Sequence, residues 1–182
     1  MKLEPIAAKY GSDKCSWHSY GRVYDQLFEG KTVRKMLEIG IGYKGLMGDN
    51  YQNGASLHMW AEYFPNADIY GLDIRWPALI NEGRIRSFQC DQGKIASLIA
   101  ARTVIGDGFD LIVDDGSHYS EHQVLSAAVL WPCVAPGGRY VIEDVWSPEE
   151  VDPFISFPHE VWDLRVRRVK DDRMIVSLPK AS

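Results

Sequence analysis

Long hydrophobic runs are missing from this sequence. No apolar stretch approaches the roughly 20 residues that a membrane helix needs, so neither a spanning segment nor a membrane partner is expected. Met1 to Lys14 carries charges and Pro5 but no apolar core, so no secretory signal is apparent. Cysteine is scarce: Cys15, Cys90 and Cys133 lie far apart and form no C-x-x-C pair. An odd count without such a pair argues against a disulfide framework and against a thiolate zinc site. The setting expected from these absences is cytoplasmic and reducing. Blocks of like charge are absent as well, at a net charge of −5. The one basic stretch, Arg165, Arg167, Arg168 and Lys170, alternates with Val166 and Val169 and reads as the solvated face of a strand. Nucleic acid is therefore disfavoured as a partner. Repeats, low-complexity tracts and interdomain linkers are likewise missing.

What is present is globular. Apolar residues make up 46% and charged residues 25% of the 182, the proportions of one ordinary domain spanning residues 1–182. A chain of this length buries roughly 70% of its unfolded surface.

Strand and helix signals alternate. Tyr20, Tyr24, Leu27 and Phe28 recur at helical spacing in Ser19 to Glu29, and Gly30 closes that segment, so residues 1–30 read as an N-terminal helical cap. Met36 to Ile39 is a short apolar strand running into the glycine-rich Gly40-Ile41-Gly42-Tyr43-Lys44-Gly45, a loop that continues to Gly54. Helices are expected over Ala55 to Phe64, Lys94 to Thr103 and Glu121 to Trp131. Strands are expected over Asp68 to Leu72, Arg84 to Gln89, Phe109 to Val113 and Arg139 to Ile142, the last after a Pro136-Gly137-Gly138 turn. This order implies βαβ units and a parallel sheet. The tail differs: Val161 to Val169 alternates with period two, Asp171-Asp172 makes a turn, and Met174 to Leu178 returns. The expected fold is α/β: a mostly parallel seven-stranded sheet with helices on both faces and a C-terminal antiparallel hairpin.

Acidic residues crowd the strand ends. Asp114-Asp115-Gly116-Ser117-His118 follows one apolar run and Glu143-Asp144 follows another. Carboxylates gathered there are costly unless something cationic sits among them. Strands ending on Asp115 and on Glu143-Asp144 are normally neighbours, so these three carboxylates can converge on one ion. Hard oxygen donors without clustered sulfur favour Mg²⁺, with Mn²⁺ or Ca²⁺ as alternatives, over zinc. His118 stands where it can take a hydroxyl proton near neutral pH. Other readings stay open: Asp115 as a helix N-cap, His118 as a polar residue of the first helical turn, and His122 as a rival base.

Ligands of open α/β sheets bind beyond the carboxyl ends of the strands. Glu38, Gly40 and Gly42 belong to the first such end, Asp73 to the second, Asp91 and Gln92 to the third. Asp73 suits ribose hydroxyls, and Asp91-Gln92 suits a base. Asp114 is expected to face the cofactor. A dinucleotide needs its G-x-G-x-x-G packed directly into a helix N-terminus, and here a long polar loop intervenes. S-adenosylmethionine, with ribose and adenine but no phosphate, fits better.

Taken together, Leu37-Glu38-Ile39-Gly40-Ile41-Gly42, Gly54-Ala55-Ser56-Leu57-His58-Met59-Trp60, Gly71-Leu72-Asp73-Ile74, Asp114-Asp115-Gly116-Ser117-His118 and Ile142-Glu143-Asp144-Val145 resemble metal-dependent class I methyltransferases that act on sugar hydroxyls. The resemblance is to macrolide-sugar and rhamnosyl O-methyltransferases of the mycinamicin type, and to small mycobacterial enzymes that methylate methylmannose polysaccharides. It spans roughly residues 10 to 145. It implies a Rossmann-like class I methyltransferase fold, S-adenosylmethionine as donor, Mg²⁺ on Asp115, Glu143 and Asp144, and His118 as general base. The segment from Asp13-Lys14 through His18, Tyr20 and Tyr24 resembles the family motif that packs over the cofactor. On that resemblance Tyr20 and Ser56 contact the methionine end. The macrolide enzymes have a large N-terminal region not found in these residues, so a smaller acceptor, or a polymer end in an open groove, is expected. A catechol-type acceptor and a non-catalytic cofactor-binding module remain as alternatives. Exposed aromatics near the tail hairpin suggest a homodimer.

Overall fold

The computed structural model describes residues 2–48, 51–165 and 173–181. Its strands are β1 (Lys35–Ile39), β2 (Asp68–Asp73), β3 (Asn81–Glu82), β4 (Ile85–Gln89), β5 (Phe109–Asp114), β6 (Val134–Ile142), β7 (His159–Asp163) and β8 (Arg173–Ser177). They form one sheet in the order β3-β4-β2-β1-β5-β6-β8-β7. The run from β4 to β6 is parallel; β3, β8 and β7 pair antiparallel.

The sheet has one strand more than the sequence suggests. The extra strand, β3, is two residues long, too short to show a period. It is fixed by side chains: Ser87 N–H donates to Asn81 Oδ1 at 3.0 Å, and Ile80 N–H donates to Ser87 Oγ at 2.7 Å. The second difference is in β6, which begins at Val134 and runs through Pro136-Gly137-Gly138. Phe109 pairs with Val134 and Leu111 with Arg139, so the expected turn is an irregularity within the strand. The tail hairpin is present as β7 and β8, with Trp162 opposite Met174. Its expected turn at Asp171-Asp172, and Arg167, Arg168 and Lys170 of the basic stretch, lie outside the described residues; Arg165 is exposed and pairs with Asp163.

The helices are α1 (Leu3–Tyr10), α2 (Tyr20–Phe28), α3 (Lys44–Met47), α4 (Ala55–Tyr63), α5 (Ile95–Ile105), α6 (Ser120–Leu130) and α7 (Pro148–Val151). Successive strand residues point to opposite faces, and each face has its own apolar layer. Met36 of β1 joins Leu3, Tyr24 and Trp60 of α1, α2 and α4, whereas Leu37 and Ile39 join Leu98, Ala127 and Leu130 of α5 and α6. In α2 the expected apolar face is buried through Tyr20, Tyr24, Leu27 and Phe28. Among the described residues no helix is long and apolar enough to cross a membrane.

Strand β1 lies between β2 and β5, and the parallel strands run outward from it in chain order, β2 then β4 on one side and β5 then β6 on the other. That reversal opens a crevice beyond the carboxyl ends of β1 and β5. All the acidic clusters lie at this end of the sheet.

Candidate active site

A cavity of about 420 Å³ occupies the crevice. Its walls are stitched together by the backbone. Gly40 N–H donates to Leu72 O at 2.8 Å, and Asp115 N–H donates to Ile39 O at 2.9 Å. Gly40 has φ +83, and a Cβ there would stand 2.0 Å from the Asp115 carbonyl oxygen. The glycine is required by the close approach of two loops as much as by any ligand.

Tyr20, Gly40, Gly42, Ser56, Asp73, Asp91, Gln92, Asp115, His118, Glu143 and Asp144 all line the cavity. Asp73 accepts the Ile41 N–H at 3.0 Å and the Arg75 N–H at 2.8 Å, which aims its carboxylate across the loop. Asp91 accepts the Gly93 N–H at 3.0 Å and pairs with Lys94 at 2.7 Å. The hydrogen bond from Lys94 holds the Asp91 carboxyl below its usual range.

Two expected cofactor contacts do not reach the cavity. Glu38 and Asp114 are both fully buried and lie behind its wall. The cause is strand alternation. Glu38 shares a face with Met36 and turns toward α4, where Ser56 Oγ donates to it at 2.5 Å and Trp60 Nε1 at 3.0 Å. Asp114 shares the opposite face with Ile112. Gln92 Nε2 donates to both of its oxygens, at 2.6 and 2.8 Å, and Gln92 Oε1 accepts the Ser117 N–H at 3.0 Å. Gln92 therefore clamps two loops, and its amide is engaged rather than held out for a base. Burial pushes the Asp114 carboxyl up to about 7, against the opposing bonds from Gln92 and Gly116.

The cation among the acids is already supplied by the chain. Lys14, from the turn Asp13–Cys15, is 1% exposed. Its Nζ meets Asp115 Oδ2 at 2.5 Å, Glu38 Oε1 at 3.3 Å, and Glu143 Oε2. Burial opposes the charge on Lys14, but Asp115, Glu143 and Glu38 overcome it and hold the ammonium well above the ordinary lysine value. Tyr24 Oη donates to the other Glu143 oxygen at 2.6 Å. Even so, burial and the Asp115 charge drive the Glu143 carboxyl well up, so one lysine does not satisfy the cluster.

Glu143 thus differs from the expectation of a simple metal ligand, because both its oxygens are engaged by protein donors. The side chains that converge are Asp115, His118 and Asp144, whose ligand atoms lie within 4.8 Å of one another. Among the described residues, His118 and Asp144 are the only non-glycines at positive φ, +60 and +48. Such backbone is costly and persists where surroundings enforce it. His118 Nε2 stands 3.8 Å from Asp144 Oδ2. His118 Nδ1 is buried without a partner, and the ring tilts toward Trp146 at 5.8 Å. His122, the rival base, has its Nδ1 2.8 Å from Ser117 Oγ.

Sequence reasoning did not assign Lys14 a role at the acid cluster. The available signal was the excess of carboxylates itself, which demands a cation without saying which.

No protein-family model matches the chain. It is 40% identical over 149 residues to the mycinamicin VI 2''-O-methyltransferase of Micromonospora griseorubida, covering 80% of this chain and 36% of that protein. It is 38% identical over 143 residues to the 8-demethyl-8-alpha-L-rhamnosyl tetracenomycin-C 2'-O-methyltransferase of Streptomyces olivaceus, covering 79% of this chain and 37% of that one. The chain thus spans little more than a third of the length of these relatives. Among solved structures it superposes on the MycE methyltransferase of the mycinamycin biosynthetic pathway, in complex with Mg and SAH, with a TM-score of 0.77 and 30% identity. That match covers 99% of this chain and 55% of the other. The chain has the Rossmann-like class I methyltransferase fold, and its homologues are sugar O-methyltransferases.

Proposed function

We propose that this chain is a Mg²⁺-dependent O-methyltransferase that moves a methyl group from S-adenosylmethionine to a sugar hydroxyl. The observation that carries it is the convergence of Asp115, His118 and Asp144 within 4.8 Å on the wall of a nucleoside-sized cavity. The residues fit both groups. The Gly40-Ile41-Gly42 backbone and Asp73 frame the ribose, Asp91 faces the base, and Tyr20 and Ser56 stand at the methionine end. Asp115 and Asp144, with Glu143 behind them, present hard oxygens suited to Mg²⁺ or Mn²⁺. Four carboxylates against one lysine leave the site short of positive charge. When bound, the divalent ion stabilises an acceptor alkoxide and so eases loss of the hydroxyl proton.

The chain's own residues do the rest. His118 Nε2 takes that proton, steadied by Asp144. Tyr20 fixes the Asp144 carboxylate. Trp146, 48% exposed beside His118, offers a flat face on which a sugar ring stacks. Residues 1–30 act as a helical cap on a single methyltransferase domain of residues 1–182, bringing Lys14, His18 and Tyr20 to the cavity. The acceptor is a mannoside, rhamnoside or oligosaccharide end, the setting is cytoplasmic, and the chain forms a homodimer packed through exposed Phe154 and Val161.

The same Trp146 face suits a catechol, whose two hydroxyls an ion holds equally well, so acceptor class is the point to test. The purified chain is given labelled S-adenosylmethionine with rhamnosides, mannosides and catechols, with and without EDTA. Methylation of a glycoside, lost in EDTA and restored by Mg²⁺, is expected. Methylation of catechols alone overturns the sugar reading. Cofactor binding with no transfer to any acceptor overturns the enzyme reading in favour of a binding module.

A further inference from the structure

Lys14 holds a position that a metal ion would contest. An ammonium has three donors and no acceptor, and here three carboxylates, those of Glu38, Asp115 and Glu143, surround it. Two of the three, Asp115 and Glu143, are also residues to which the divalent ion is assigned above. The third, Glu38, lies deeper and is fixed by Ser56 and Trp60. The lysine stem is flexible, so a short shift of Nζ toward Glu38 releases the other two.

We propose that Lys14 and the divalent cation are alternative counter-ions to Asp115 and Glu143, the lysine holding the acid cluster together until a metal displaces it toward Glu38. This rests on the metal reading of the site. Three consequences follow. The folded state does not need metal, because the buried acids are never without a cation. Metal affinity is weaker than the carboxylates alone would give, because the ion must compete with a covalently attached rival. Glu143 becomes available as a ligand only when Lys14 yields it.

The test is calorimetric titration of Mn²⁺ into the whole chain, wild type and Lys14→Met, beside thermal unfolding of both in EDTA and in Mn²⁺. Lys14→Met is expected to bind Mn²⁺ about tenfold or more tighter, the scale at which groups around a metal's ligands act. It is also expected to melt lower in EDTA and to gain more from Mn²⁺ than wild type does. Equal or weaker affinity in Lys14→Met overturns the proposal and leaves the metal reading standing. Mn²⁺ uptake by Lys14→Met alone still supports the competition. Uptake by neither protein overturns both. If Lys14→Met cannot be recovered folded, the wild type answers instead. In lysine-labelled protein the buried Lys14 ammonium resonance is expected to shift, and its protons to exchange faster, as Mg²⁺ saturates the site. An unmoved resonance at saturation overturns the proposal.

Discussion

Tyr20 Oη donates to Asp144 Oδ1 at 2.6 Å and accepts the Asp144 backbone N–H at 3.2 Å. One hydroxyl thus fixes both the side chain and the strained backbone of the same acid. It stays protonated, since burial and the charges of Glu143 and Asp144 push the phenol far above its ordinary value. His18 stacks on the Tyr20 ring at 4.9 Å and brings Nδ1 to 3.5 Å from Asp144 Oδ1. The N-terminal segment is therefore part of the site and more than a cover for the sheet.

Removing only that hydroxyl, in Tyr20→Phe, leaves the aromatic packing in place and withdraws the bonds to Asp144. A buried polar group left unpaired costs about 1–3 kcal/mol. The urea midpoint should fall accordingly. The Mg²⁺ concentration for half-maximal turnover should rise about tenfold if Asp144 holds the ion as proposed, because its carboxylate has lost its support. An unchanged Mg²⁺ requirement would show that Asp144 does not hold the ion.

Gly40 gives a steric prediction with an internal control. Gly40→Ala sets a Cβ 2.0 Å from the Asp115 carbonyl at φ +83, whereas Gly11→Ala, at φ +74, meets nothing within 4 Å. The left-handed backbone alone costs roughly 1–2 kcal/mol, and that is the expected loss at Gly11. Gly40→Ala should lose about 4 kcal/mol or more, or fail to accumulate folded. Similar losses at both positions would mean the loops from β1 and β5 separate easily.

Asp114 makes stability depend on pH. Its carboxyl titrates at about 7 in the folded chain against an ordinary 3.8, chiefly through burial. Between those values the folded protein holds a proton that the unfolded chain has released. This contribution is fully present below pH 3.8 and is lost as pH rises toward about 7. Glu38, Glu143 and Asp144 are also raised, each first by burial, so these buried acids share the sign of the Asp114 contribution. The Asp114→Asn variant isolates one contributor. Its stability in urea should fall less than that of wild type between pH 4.5 and pH 8, the difference growing by about 1.4 kcal/mol for each pH unit over which only the folded wild type holds the proton. Parallel curves for the two proteins would rule out Asp114 as the source.

The sheet and α2 were legible because their signals are local. Tyr20, Tyr24, Leu27 and Phe28 mark a face by spacing alone, and β2, β5 and β6 end where an acidic residue follows an apolar run. The site was legible by residue type and less so by direction. Glu38 and Asp114 stand one position short of the cavity, and a period-two strand turns that single step into the opposite face. Lys14 was not legible as the partner of the acids, because its contacts to Asp115 and Glu143 span 101 and 129 residues. No local pattern carries such a pairing: the sheet order sets the ends of β5 and β6 side by side, and the turn Asp13–Cys15 brings Lys14 to them.

His118 allows fold and chemistry to be separated. Its φ of +60 belongs to a region that asparagine enters more readily than most residues. Its Nδ1 is buried without a partner, so replacing the ring removes no hydrogen bond at that atom. His118→Asn should therefore fold with a urea midpoint close to that of wild type and bind S-adenosylmethionine with similar affinity. It has no group that accepts a proton near neutral pH. Turnover on the glycoside should fall about 10²–10⁴-fold, the usual weight of a general base. His122→Asn, altering a ring whose Nδ1 already meets Ser117, should change turnover far less. Near-normal turnover in His118→Asn together with collapse in His122→Asn would move the base to the α6 helix and require the acceptor to lie on the other side of Ser117.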